Sequence, residues 1–222
     1  MFFKNILKNF IKQRMPNTYW RRIINKRLLD NRDSFLYETG WYNSLIATKP
    51  INANAVETAW LNYSFLSFIH TRLNDQLTMF EYGSGSSTHY FAKKIQHIIS
   101  VEHNKEWYEK TLSNIEENVD LIYENFDVDG LYAKKIVGYD MKFDLVLIDG
   151  RDRLNCIKYS VSKLSDRGVI ILDNSMRERY ASIFSWEGLA DFRHITFTGI
   201  VPGGFKLEST TVFYRSNNCL GI

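Results

Sequence analysis

Met79-Phe80-Glu81-Tyr82-Gly83-Ser84-Gly85-Ser86-Ser87-Thr88 reads as a buried strand that runs into a glycine turn and then a helix. Glycines at 83 and 85 remove Cβ atoms where a ligand would lie against backbone, and Ser86, Ser87 or Thr88 offers a cap for the helix. A nucleoside cofactor is the first expectation. Downstream, strands and helices alternate: strand 77–82, helix 87–96, strand 98–102, helix 105–116, a weaker strand 119–123, strand 143–148, helix 154–164 and strand 168–172. Apolar strands separated by helices imply a parallel sheet covered on both faces. A helix is predicted over 177–189. Two strand-like runs, 192–200 and 210–215, joined through Pro202-Gly203-Gly204, then suit an antiparallel pair.

Upstream, Val56, Trp60, Leu61, Tyr63, Phe65, Leu66 and Ile69 predict a largely buried helix that leads to the first strand. Residues 34–75 form a cap segment before the main domain, 76–222. Residues 1–33 are set apart by charge: residues 1–32 carry nine Lys/Arg against one acid, Asp30, a balance of +8. The rest of the chain carries 19 basic and 24 acidic residues, a balance of −5. Phe2, Phe3, Ile6, Leu7, Phe10 and Ile11 repeat at helical spacing while Lys4, Lys8 and Lys12 line another face. Such a basic amphipathic arm suits an anionic membrane surface through residues 1–15, and equally a helix packed on its own domain or on a second subunit. No nucleic-acid-binding motif joins the basic residues, and the acidic remainder would repel a phosphate backbone.

The chain of 222 residues, 45% hydrophobic and with three prolines, can bury one substantial core. Its mean hydropathy is negative, and no apolar run approaches the roughly 18 residues of a membrane span. Cys156 and Cys219 lack metal-ligand spacing, and no secretory segment is evident. The expectation is a cytoplasmic protein, peripheral to the inner face of the membrane if the arm binds there.

Two features separate a dinucleotide site from a methionine-derived one, and a third suits both. Thr88 replaces the third glycine of G-x-G-x-x-G. Glu81 would repel a pyrophosphate but attract an ammonium. Glu102 ends the second strand, 19 residues after Gly83, where an acid can accept ribose hydroxyls for either cofactor. With Asp149-Gly150 ending a later strand, the sequence resembles the class I, Rossmann-like, S-adenosylmethionine-dependent methyltransferases over residues 55–216. Val101-Glu102-His103, Ile148-Asp149-Gly150-Arg151-Asp152-Arg153 and Leu172-Asp173-Asn174 also look like a mostly uncharacterised bacterial subgroup, from which no substrate follows.

The resemblance implies a three-layer α/β sandwich with a mostly parallel seven-stranded sheet and a C-terminal antiparallel hairpin. It implies that Glu81, Gly83, Gly85 and Ser86 hold the methionine part of S-adenosyl-L-methionine and Glu102 the ribose, with Glu124 and Asn125 as looser candidates for the adenine. His103 could border the cofactor, and Asp149 lies at the ligand edge of the sheet. Asp149, Asp173 and Asn174 are the catalytic candidates, and resemble the magnesium-binding set of the catechol O-methyltransferase-like branch. Mg2+ therefore enters as an option, alongside the reading that strand-end Asp and Asn only fix turns. Arg151 and Arg153 are candidates for an anionic group on the substrate, or for salt bridges to nearby acids.

Asp149 is followed by Gly150, not by the Pro-Pro-aromatic run of many base-methylating enzymes, which favours an oxygen acceptor. Ser84 makes no nucleophile elbow. The reading is O-methylation of a small molecule or glycan. The alternatives are an NAD-dependent oxidoreductase and a non-catalytic Rossmann-like interaction protein. Trp41 and Trp60 are candidates to roof the site, with buried packing the alternative for Trp60, and the Pro202-Gly203-Gly204 loop is a candidate lid. His89 stands near the turn as a minor candidate.

Overall fold

A computed structural model describes residues 10–222. Phe2, Phe3, Ile6, Leu7, Lys4 and Lys8 of the arm lie outside that range. Helix α1, Pro16–Leu28, starts on the proline that fixes its first turn and contains no buried residue. Short helices α2, Phe35–Glu38, and α3, Trp41–Ala47, follow. Helix α4 spans Tyr63–His70, shorter than the predicted element, because Asn62 caps it by accepting the Phe65 N–H at 3.0 Å. Val56 and Trp60 consequently fall outside the helix and are exposed, Trp60 by 48%.

The sheet consists of β1 Thr78–Tyr82, β2 His97–Glu102, β3 Val119–Tyr123, β4 Phe143–Ile148, β5 Leu164–Leu172, β6 Arg193–Ile200 and β7 Leu207–Tyr214. Their order is β3-β2-β1-β4-β5-β7-β6. β7 alone runs antiparallel to its neighbours, β5 and β6. The other pairings are parallel. Between the strands lie α5 Ser86–Ala92, α6 Lys105–Leu112, α7 Leu131–Lys134 and α8 Arg153–Val161. The predicted helix over 177–189 is instead two 3₁₀ segments, Glu178–Ser185 and Glu187–Leu189, separated by extended Trp186.

Alternation along the strands accounts for the two cores. Met79, Ile98, Leu145, Leu147, Val169 and Ile171 pack on one face with Phe65 and Ile69 of α4 and Phe91 of α5. Phe80, Ile99, Val146, Ile148, Ile170 and Leu172 pack on the other with Tyr132 of α7 and Ile157 of α8. Successive residues point to opposite faces, so only strands apolar throughout can fill both layers. Among the described residues, no helix is long and apolar enough to cross a membrane.

Candidate active site

The chain builds outward from β1 through β2 to β3, then returns to the other side of β1 with β4. The loops at the carboxyl ends of β1 and β4 therefore diverge, the arrangement that opens a crevice in such sheets. A cleft of about 1170 Å³ lies there. Gly83, Ser84, Glu102, His103, Asn104, Trp107 and Phe126 line one part, and Asp149 through Leu154 with Arg177, Arg179 and Tyr180 line another.

The glycine turn is fitted first to the protein itself. Gly83 has φ +94°, and a Cβ there would lie 2.9 Å from the Gly150 backbone, so the ends of β1 and β4 approach closely only with glycine. A Cβ on Gly85 would lie 3.1 Å from Trp107 Nε1, which donates to the Ser84 carbonyl at 2.6 Å. Thr88 accepts the Gly85 N–H at 2.9 Å and donates to Glu81, which explains a hydroxyl in place of a third glycine.

Glu81 is placed differently from the sequence expectation. It is wholly buried, receives the hydroxyls of Ser87, Thr88 and Ser100, and is absent from the cleft wall. Burial, only partly offset by those hydroxyls, pushes its carboxyl up to about 7. It ties β1, β2 and α5 together beneath the turn. Ser86 opens α5 and, like Gly85, does not line the cleft.

Glu102 does face the cleft. Its Oε2 takes the Ser84 N–H at 2.9 Å, and Oε1 takes the N–H groups of His103 and Asn104 at 2.9 and 2.7 Å. Three of about four acceptor positions are used, which leaves one for a ligand hydroxyl rather than the two foreseen. Beside it, His103 Nδ1 lies 3.0 Å from Glu102 Oε1, while the buried Tyr132 Oη, which is not on the cleft wall, has no hydrogen-bond partner. The open carboxylate position fits a ribose-bearing cofactor. Glu124 and Asn125 turn elsewhere, to Lys135 and Tyr123, and Phe126 stands on the wall in their place.

Asp149 lies on the wall with its side chain 30% exposed. Its Oδ1 accepts from Arg153 Nη2 at 2.8 Å, while Oδ2 receives no hydrogen bond from the described residues. Partial burial raises its carboxyl above the usual range against the pull of Arg153. Asp173 and Asn174 are not on the wall. Thr210 donates to Asp173 Oδ1 at 2.6 Å, and Asn174 donates to Glu208 at 2.9 Å, so both face β7. Burial, reinforced by the charge of Asp149, raises Asp173 to about 7.

The donor set foreseen for magnesium thus does not assemble. Among the described residues, no three His, Cys, Asp or Glu side chains are grouped to hold an ion. The residues present do not fit that metal.

Arg153 is also reassigned. It is buried, and donates to the carbonyls of Gly150, Asp173 and Asp149 as well as to the Asp149 carboxylate. It clamps the ends of β4 and β5, leaving little capacity for substrate. Arg151 is exposed at the cleft, joined by Arg177 and Arg179. Those two were not foreseen, because no motif marks them in the sequence. Trp107 was missed as well, although an aromatic in the first turn of the helix that follows Glu102 was its available signal.

The other candidates lie away from the cleft. His89 contacts Glu116 at 2.7 Å. Trp41 is buried, donates to the Gly204 carbonyl at 2.6 Å and packs edge-on against Phe205, so it anchors the Pro202-Gly203-Gly204 loop against α3. That loop is not on the cleft wall.

No family model matches the chain, and no curated protein matches it. Its fold does have solved counterparts. An O-methyltransferase from Bacillus cereus in complex with S-adenosylhomocysteine superposes with a TM-score of 0.54 at 15% identity, covering 68% of this chain and 78% of the other. An O-methyltransferase from Streptomyces achromogenes in complex with S-adenosylmethionine gives 0.53 at 13% identity, with 68% and 78% covered. An rRNA methylase from Streptococcus thermophilus gives 0.52 at 15% identity, covering 67% and 92%. With β7 inserted antiparallel between β5 and β6 and the cleft at the β1/β4 switch, this chain has the Rossmann-like fold of the class I S-adenosylmethionine-dependent methyltransferases.

Proposed function

We propose that the protein transfers a methyl group from S-adenosylmethionine to a hydroxyl oxygen of a small molecule or glycan. The observation that carries this reading is that Glu102 and Asp149, at the ends of different strands, line one cleft in this fold. Ser84, Glu102 and His103 would hold the nucleoside side, and Gly83 the approach to the methionine part. Glu81, Gly85 and Ser86 would act from behind, by keeping the turn in shape. When bound, the cofactor supplies an electrophilic methyl carbon on a sulfonium.

What the chain adds is position and a proton acceptor. Asp149 has one oxygen held by Arg153 and the other directed to no protein donor, so it can orient an acceptor hydroxyl and take its proton. Calorimetric titration tests the reading. S-adenosylhomocysteine should bind, and Glu102→Gln should weaken it about tenfold through loss of an anionic acceptor. Binding of NAD alone would overturn it.

We also infer that the arm rests on an anionic lipid surface. On α1, Trp20 and Ile24 are 50% and 51% exposed at helical spacing, beside Arg21, Arg22, Lys26 and Arg27. The protein should float with phosphatidylserine vesicles and cease to do so without residues 1–33. Equal flotation of the truncated chain would rule out this role.

A further inference from the structure

We propose that the acceptor carries an oxyanion, a phosphate or a carboxylate, gripped by Arg151, Arg177 and Arg179. Calling the bound molecule the acceptor rests on the methyltransferase reading; the anion site itself does not. The three arginines come from two segments, Arg151 from the loop following β4 and Arg177 and Arg179 from the start of the 3₁₀ segment following β5, and all line the same cleft. Each is exposed, and none forms an ion pair with the described residues.

The acids on the cleft form no ion pair with them. Asp149 is paired with Arg153. Asp152 accepts the Asp129 N–H at 2.8 Å and the Asn155 amide at 3.0 Å. Glu102 is occupied by three backbone N–H groups. Glu106 belongs to α6, with Trp107 on the nucleoside side. Glu178 stands between Arg177 and Arg179 in sequence but not on the wall. No carboxylate of the described residues lies within 4.0 Å of these three guanidinium groups, so each keeps its donors open to an oxyanion.

Guanidinium suits this task, since its planar fork donates paired hydrogen bonds to carboxylate or phosphate oxygens. Arg179 is further positioned with its guanidinium carbon 4.9 Å from the ring centre of buried Tyr180. Arg177 lies close enough to Asp149 for its charge to favour the ionised carboxylate. An oxyanion held there would stand beside the proton-accepting group, so the methylated hydroxyl belongs on the same small molecule or sugar residue as the anion.

The test titrates inorganic phosphate and, separately, succinate into the full chain at low ionic strength, with and without saturating S-adenosylhomocysteine. At least one anion should bind in the millimolar range or tighter, and Arg151→Gln, Arg177→Gln and Arg179→Gln should each weaken it about tenfold. Preference for phosphate would identify a phosphorylated acceptor, and preference for succinate a carboxylated one. Arg193→Gln, on β6, should change nothing. S-adenosylhomocysteine affinity should persist in all four variants. Absence of binding by both anions, or unchanged binding by the triple arginine variant, overturns the proposal. Anion binding that depends on the arginines, without any S-adenosylhomocysteine binding, would keep the anion site and refute the methyltransferase reading.

Discussion

Replacing Glu81 by glutamine should stabilise the protein above neutral pH and change it little in mild acid. The side chain is wholly buried and meets three hydroxyl groups, at 2.5, 2.5 and 2.7 Å, with no cation among its hydrogen-bond partners. Burial lifts its carboxyl from 4.5 to about 7. The folded state thus holds this proton more tightly than the unfolded chain, and the associated stability is complete below about pH 4.5 and lost as pH rises through 7. The displacement corresponds to about 3 kcal/mol. Glutamine preserves the shape and never ionises, so the stability of Glu81→Gln relative to the parent should climb by that amount between about pH 5 and pH 9. For a chain of this size it amounts to roughly 6–12 °C in Tm. Urea or thermal unfolding of both proteins across that range measures it; the other raised acids, Asp149 and Asp173, are common to both, and relief of the Glu81 charge that helps to raise Asp149 acts in the same direction. A stability difference independent of pH, or one that falls with rising pH, would show that the hydroxyl cage keeps Glu81 ionised and would refute the reasoning.

Arg153→Met should cost about 3 kcal/mol in urea unfolding, since three carbonyls and a carboxylate lose their donor, whereas Arg151→Gln should stay within about 0.5 kcal/mol. Gly150→Ala would place a Cβ 2.0 Å from Tyr132 Oη and should destabilise by about 2 kcal/mol. Tyr132→Phe removes a buried hydroxyl that has no partner, so in the double variant it should recover much of that loss; an additive penalty would count against the clash. Trp107→Phe deletes the bond to the Ser84 carbonyl and should weaken S-adenosylhomocysteine binding about fivefold with Tm nearly unchanged.

The sheet was legible because its signals are local. Phe80-Glu81-Tyr82 and Phe143 through Ile148 are apolar enough for strands covered on both faces, and the Pro202-Gly203-Gly204 junction marks the final hairpin. Parallel strands bring their carboxyl ends to one edge, so Glu102 and Asp149 could be assigned to a common edge from strand ends alone. Helical extent was less legible. Asn62 begins α4 late, and the 3₁₀ segments after residue 177 lack a local signature that separates them from an α-helix.

By itself, then, the sequence determined the order of elements, the glycine turn and the edge at which a ligand site must lie, because strand period and turn chemistry depend on neighbours in the chain. Tertiary structure decided how each polar group at that edge is used. Thr210 and Glu208 of β7 draw Asp173 and Asn174 away from the cleft, while Ser100 of β2 helps to enclose Glu81. Backbone carbonyls of two strand ends occupy Arg153, leaving Arg151, Arg177 and Arg179 on the wall. A buried polar side chain turns to whichever partner satisfies it, and here those partners arrive from up to 37 residues away, beyond the reach of local pattern.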